Sequence, residues 1–140
     1  MRERRREYLA IYAVGGTGYY ILEVIWRGYS HWTMALTGGF CLLLLYLLSG
    51  HTEIPLITKC VIGAALITAV EMLVGSIVNI GLGWNVWDYS RYNYDFLGQI
   101  CLEYSLLWVV VSYFGLWLCQ LLRDSDILRE FVVGRNNFRE

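Results

Sequence analysis

The sequence has 140 residues, which is enough for a single domain. Hydrophobic residues make up 57% of it and charged residues only 16%, whereas about a quarter of a soluble domain is charged. The formal net charge is −1, and no basic stripe indicates binding to nucleic acid. The composition therefore favours an all-α protein embedded in a lipid bilayer and excludes nucleic acid as a partner.

Four apolar segments are long enough to cross a bilayer, which takes about 20 residues in a helix. Together they predict a polytopic membrane protein with one domain, a four-transmembrane-helix bundle. The predicted helices cover residues 8–27, 31–49, 54–80 and 97–122, with a loop at 81–96 and a tail at 123–140.

Positive residues are distributed unevenly between the two ends of such a bundle. Nine of the eleven arginines and lysines fall on the side of the two termini, and only Arg27 and Arg91 fall on the other side. Because an excess of positive charge marks the cytoplasmic side of a membrane, we predict that both termini are cytoplasmic. The loop at 81–96 would then face outward.

Three carboxylates interrupt the apolar segments: Glu23, Glu71 and Glu103. A charged side chain at the centre of a bilayer costs about 2.5 kcal/mol or more, so such residues mark sites or pairings. Counting 1.5 Å of helical rise per residue places all three in the half of the bilayer nearer the loop. The sequence therefore predicts a polar pocket between the helices that opens outward and is lined by these three carboxylates.

Other polar residues at the same level are candidates for binding a solute, and each also has a structural interpretation. Arg27 follows Glu23 at the i, i+4 spacing of an intrahelical ion pair. His31 can cap a helix, Asp88 can cap a turn or pair with an arginine, and Trp87 can anchor the loop at the membrane surface. The candidate substrate-binding residues are Glu23, Glu71, Glu103, Arg27, His31, Asn79, Trp87, Asp88 and Gln99.

The sequence contains no recognisable catalytic or metal-binding motif. It has no phosphate-binding GxxxxGK[ST] loop, no HExxH and no GxSxG, and the glycine-rich run at residues 15–18 lies inside a predicted membrane helix. We therefore expect that the chain is not an enzyme, and that it has no catalytic residues, no metal and no cofactor.

Three stretches carry a resemblance to a known family: residues 22–32 (LEVIWRGYSHW), the spaced G, T, E, G and N residues from Gly63 to Asn79, and residues 86–102 (VWDYSRYNYDFLGQICL). They resemble the bacterial CmpB-like type IV ABC-transporter permeases. The resemblance implies a multi-pass protein of the bacterial cytoplasmic membrane that works as a transport component. It also implies that a separate chain supplies the ATPase.

Three functions remain open at this point. The first is a transport component or small-solute-binding subunit, which as a bundle of four helices would need a homo-oligomer or a partner membrane subunit. The second is a proton-coupled exporter of small cations, which would be similar to the small multidrug resistance proteins. The third is a structural or accessory membrane protein without transport activity, in which the carboxylates serve helix pairing.

Overall fold

Four helices, each long and apolar enough to cross a membrane, form this protein in the computed structural model. The structure describes residues 2–125 and residue 128. The helices are α1 (Arg2–Arg27), α2 (Trp32–Ser49), α3 (Leu56–Gly75) and α4 (Leu102–Asp124). A π-helical turn, Ser76–Gly81, extends α3, and a short antiparallel hairpin of β1 (Asp95–Phe96) and β2 (Ile100–Cys101) precedes α4. The all-α, four-helix membrane architecture is confirmed.

Two helix starts, those of α1 and α4, differ from the predicted bounds by more than two residues. α1 begins at Arg2 rather than at residue 8, because charged residues mark the limit of the apolar span without ending a helix. α4 begins at Leu102 rather than at residue 97. Leu97 and Gly98 have φ angles of 52° and 66° in the turn of the hairpin, and this left-handed backbone cannot belong to a right-handed helix.

Paired glycines on α1 and α2 bring the two helix backbones into close contact. A Cβ atom built on Gly16 would lie 2.6 Å from the carbonyl oxygen of Ala35, and one built on Gly39 would lie 2.6 Å from that of Tyr12. Small residues at such a crossing are typical of membrane helices, because lipid offers no hydrophobic driving force and association depends on close packing. The glycines therefore fix the α1–α2 pair.

The helices are arranged so that α2 lies at the centre of the bundle. α1 packs mainly along α2, while α4 packs along both α3 and α2. The buried core consequently centres on α2 residues such as Leu45 and Tyr46, against Ile67 of α3 and Leu116 of α4. This arrangement leaves α1 and α4 as the two walls of a gap over α2.

A polar cluster ties three helices together at the end of the bundle that carries the N-terminus, which we call the terminal end. The Tyr46 hydroxyl donates to the Glu7 carboxylate. The Arg123 guanidinium lies 4.1 Å from the centroid of the Tyr46 ring and donates to the Tyr46 carbonyl oxygen at 2.9 Å. Non-covalent contacts thus connect α1, α2 and α4 at the terminal end.

We predict that Gly16→Ala destabilises the protein, because its methyl group would overlap the Ala35 carbonyl oxygen. Overpacking of this kind costs about 1–3 kcal/mol, so the midpoint of thermal unfolding in detergent should fall. Gly18→Ala is the matched control on the same helix, since no atom lies within 4 Å of its Cβ position. Equal unfolding midpoints for the two variants would contradict the packing described.

Candidate functional site

Glu71 is the most deeply buried carboxylate among the described residues of the bundle, with 3% of its surface exposed. It lies on α3, and both of its oxygens accept hydrogen bonds. Trp108 Nε1 of α4 donates to Oε2 at 2.7 Å, and the Tyr89 hydroxyl of the loop donates to Oε1 at 3.2 Å. Neither of the two ion pairs found among residues 2–125 involves Glu71, so no cation of this part of the chain neutralises it.

Glu71 forms part of the wall of a cavity of about 220 Å³ that lies inside the bundle. All four helices contribute to the lining, which consists mainly of apolar side chains and glycines. Within residues 2–125, Glu71 is the single charged residue of the lining. No residue of the loop between Gly81 and Asp95 belongs to this lining, so the cavity does not open toward the loop as the sequence suggested.

The walls of the cavity show where it opens. Val14, Gly18 and Leu22 of α1 and Phe114 of α4 line it and are also exposed on the side of the bundle. Because α1 and α4 do not pack along each other, the opening lies between them. It faces sideways, between two helices that are each long and apolar enough to cross a membrane.

The carboxylate of Glu23 finds its partners among residues close to it in sequence. It forms an ion pair of 2.5 Å with Arg27 and also accepts a hydrogen bond of 2.5 Å from the Ser30 hydroxyl. Arg27 in turn donates to the carbonyl oxygen of Val86 at 3.3 Å, which links α1 to the loop. The ion pair that the i, i+4 spacing predicts is therefore present, and neither residue lines the cavity at Glu71.

Glu103 does not join the other carboxylates. It lies in the first turn of α4 and is exposed. The sequence placed Gln99 and Glu103 one turn apart on a single helix, but Gln99 belongs to the hairpin that precedes α4. The structure thus gives the three carboxylates three different surroundings instead of one shared, outward-facing pocket, because helix depth alone does not determine the direction in which a side chain points.

His31 lies at the start of α2 as its N-cap residue. Its Nδ1 accepts a hydrogen bond of 3.4 Å from the Thr33 backbone N–H. Its ring is also part of an aromatic cluster, with centroid distances of 5.5 Å to Trp32 and 5.6 Å to Trp84. His31 therefore caps a helix and packs against aromatic rings, away from Glu71.

Three of the predicted residues meet in a buried network that holds the loop against the bundle. Asn79 Oδ1 accepts from the Val86 N–H at 2.7 Å, and Asn79 Nδ2 donates to Gln99 Oε1 at 2.8 Å. Trp87 Nε1 donates to the Gln99 carbonyl oxygen at 3.0 Å. Asn79 itself lies in the π-helical turn. Asn79, Trp87 and Gln99 thus close the loop-bearing end of the bundle.

Asp88 is exposed and shapes the loop locally. Its carboxylate accepts hydrogen bonds from the Ser90 N–H at 2.9 Å and from the Ser90 hydroxyl at 3.0 Å. These two hydrogen bonds lower the pKa of Asp88 below its usual value. Asp88 therefore caps a turn, which is one of the two structural roles that the sequence allows it.

The two side chains that donate hydrogen bonds to Glu71 are not among the residues predicted from the sequence. Trp108 lies 37 positions from Glu71 along the chain and Tyr89 lies 18 positions away. The usable signal is that Trp108 places a hydrogen-bond donor in the interior of an apolar helix. Buried indole N–H groups need an acceptor, and the membrane-spanning segments contain few carboxylates.

We predict that Asn79→Ala loosens the loop, because the buried Val86 N–H then loses its acceptor. Leaving such a group unsatisfied costs about 1–3 kcal/mol. Hydrogen exchange at the Val86 amide, measured on the full chain in detergent, should become faster. Asn93→Ala is the matched control, since Asn93 is an exposed residue of the same loop. Unchanged exchange at Val86 in Asn79→Ala would contradict a closing role for the network.

The chain was also compared with known proteins. A family model described as "Putative ABC-transporter type IV", of the CmpB type, matches residues 8–132. The comparisons with curated proteins and with solved structures gave no match. The family match covers all four helices and the loop, as the resemblance in the sequence suggested, and with the apolar helices it indicates a transport-related, multi-pass membrane protein. The chain belongs to this CmpB-type family, described as "Putative ABC-transporter type IV".

Proposed function

We propose that the protein is the membrane-embedded subunit of a transporter in the bacterial cytoplasmic membrane, and that Glu71 recognises the transported molecule. One observation carries the proposal: a carboxylate with 3% exposure forms part of the wall of an intramembrane cavity. Burying a charge costs too much to persist by accident, unless the charge is paired or serves binding. The family supplies the link to transport.

The proposal assigns transport and ATP hydrolysis to different chains. This sequence has no ATP-binding motif, so a separate ATPase would supply the energy. Four helices around one small cavity also leave little room for a path that opens alternately to both sides. We therefore propose that the working unit contains either several copies of this chain or a second membrane subunit, with both termini on the cytoplasmic side.

The proposal can be tested by identifying what copurifies with the protein. The full chain, tagged and extracted from its native membrane in mild detergent, is compared with Glu71→Gln. We expect mass spectrometry to find one small molecule enriched with the wild type and depleted at least about tenfold in the variant, the loss that one charged hydrogen bond explains. Gel filtration ensures that only folded protein is compared.

Glu103→Gln is the matched control for this measurement, because Glu103 is an exposed carboxylate of the same bundle. It should retain the copurifying molecule. The role proposed for Glu71 would be overturned if the copurifying molecule were lost equally from both variants. It would also be overturned if no copurifying molecule were lost from Glu71→Gln.

The energy source has its own test. We expect an ATPase subunit to copurify with the tagged wild-type chain, and ATP hydrolysis by the purified complex to respond to the molecule identified above. In the Glu71→Gln complex the ATPase should still copurify but no longer respond, since Glu71 lies in the interior of the bundle. Absence of any ATPase from the native complex would contradict the proposed division of labour.

A further inference from the structure

We propose that the molecule recognised by Glu71 is an amphiphile with a protonated amine as its head group, and that it reaches the cavity from the bilayer between α1 and α4. This inference rests on the proposed function, because it names the substrate class of the same site. Four observations support it: the position of the opening, the lining, the size of the cavity and the state of Glu71.

The opening of the cavity lies on the side of the bundle. Leu22 of α1 and Phe114 of α4 both line the cavity, yet 64% and 60% of their surfaces are exposed. Gly18 of α1 also lines the cavity, carries no side chain, and has no atom within 4 Å of its Cβ position. The loop network around Asn79 closes the end of the bundle instead. A molecule dissolved among the acyl chains therefore has the direct route to Glu71.

The lining fits an apolar chain attached to one polar head group. Apart from Glu71, the cavity is lined mainly by aliphatic and aromatic residues and by glycines. A hydrated ion or a sugar would lose its water in such surroundings without gaining enough hydrogen bonds in return. An alkyl chain loses nothing there, because the lining resembles the lipid that it leaves.

The size of the cavity indicates that only part of the ligand is enclosed. Its volume is about 220 Å³, whereas pockets that enclose a drug-sized molecule measure about 300–1,000 Å³. At about 30 Å³ per water molecule, the volume of about 220 Å³ has room for about seven waters, comparable to an amine and about six methylene groups. The remainder of a longer chain would extend through the lateral opening into the lipid.

The hydrogen bonds of Glu71 favour a ligand whose head group is positively charged. Both carboxylate oxygens already accept a hydrogen bond, from Trp108 and Tyr89, and such donors favour the ionised form of a carboxylate. Each oxygen has a second lone pair for a further donor. A primary ammonium group provides three donors and the compensating charge.

The experiment uses the full chain in lipid nanodiscs and three probes with the same C10 chain: decylamine, decanol and decyl sulfate. Saturable binding is measured by equilibrium dialysis against empty nanodiscs. We expect decylamine to bind at least about tenfold more tightly than either of the other two, since a hydrogen bond to a charged group is worth about 1.5–3 kcal/mol. Glu71→Gln should remove this preference, and Glu103→Gln should keep it.

A second pair of variants tests the route without altering the carboxylate. Gly18→Leu should block the opening and slow or abolish binding of decylamine, because Gly18 lines the cavity and the space around its Cβ position is free for the new side chain. Ala13→Leu adds the same bulk to an exposed position of α1 outside the lining, and should bind decylamine like the wild type. This pair remains informative if Glu71→Gln fails to fold.

The results separate this inference from the proposed function. Equal binding of decylamine and decanol would overturn the proposal that the head group is an amine. Wild-type binding of decylamine by Gly18→Leu would overturn the proposed lateral route. If decylamine fails to bind while a water-soluble molecule copurifies in a Glu71-dependent way, the amphiphile is wrong and the proposed function stands. If no molecule of any kind depends on Glu71, both are overturned.

Discussion

The interior of a bilayer offers no water to satisfy a polar group, so a buried carboxylate or carboxamide in this protein depends on partners in the protein or in a bound molecule. Asn79 and Gln99 meet this constraint by bonding to each other and to the loop backbone. Glu23 meets it through Arg27 and Ser30. Glu71 has two donors but, among the described residues, no compensating charge. That difference separates the candidate site from the structural polar clusters around it.

The bundle consists of two helix pairs with different ways of holding together. Glycines join α1 to α2 through close backbone contact. Side-chain hydrogen bonds, including Thr68 to Ser105 at 3.2 Å and Trp108 to Glu71, join α3 to α4. α2 then packs against α3 and α4, so that α1 and α4 remain apart. The cavity follows from this connectivity, because helix packing does not close the wall between α1 and α4.

The sequence was sufficient for those features that depend on local spacing. Apolar length predicts the four spans, the i, i+4 spacing predicts the Glu23–Arg27 pair, and the position of His31 indicates a cap. Features that depend on packing direction could not be obtained in this way. Estimated depth put Glu103 beside Glu71, yet the left-handed turn at Leu97 and Gly98 delays the start of α4, and Glu103 faces away. The approach of Tyr89 to Glu71 depends on how the loop folds back, for which a single sequence contains no local signal.

The unequal lengths of α1 and α2 have a consequence for how the protein is positioned in the membrane. α1 has 26 residues and α2 has 18, so α1 is longer by about 12 Å at 1.5 Å per residue. The two helices are paired through their glycines and begin from a shared short connection, so the excess accumulates at the terminal end. There the first turns of α1 would extend from the hydrocarbon core through the phosphate layer. Their arginine side chains would interact with the phosphates and so fix the depth of the bundle in the membrane.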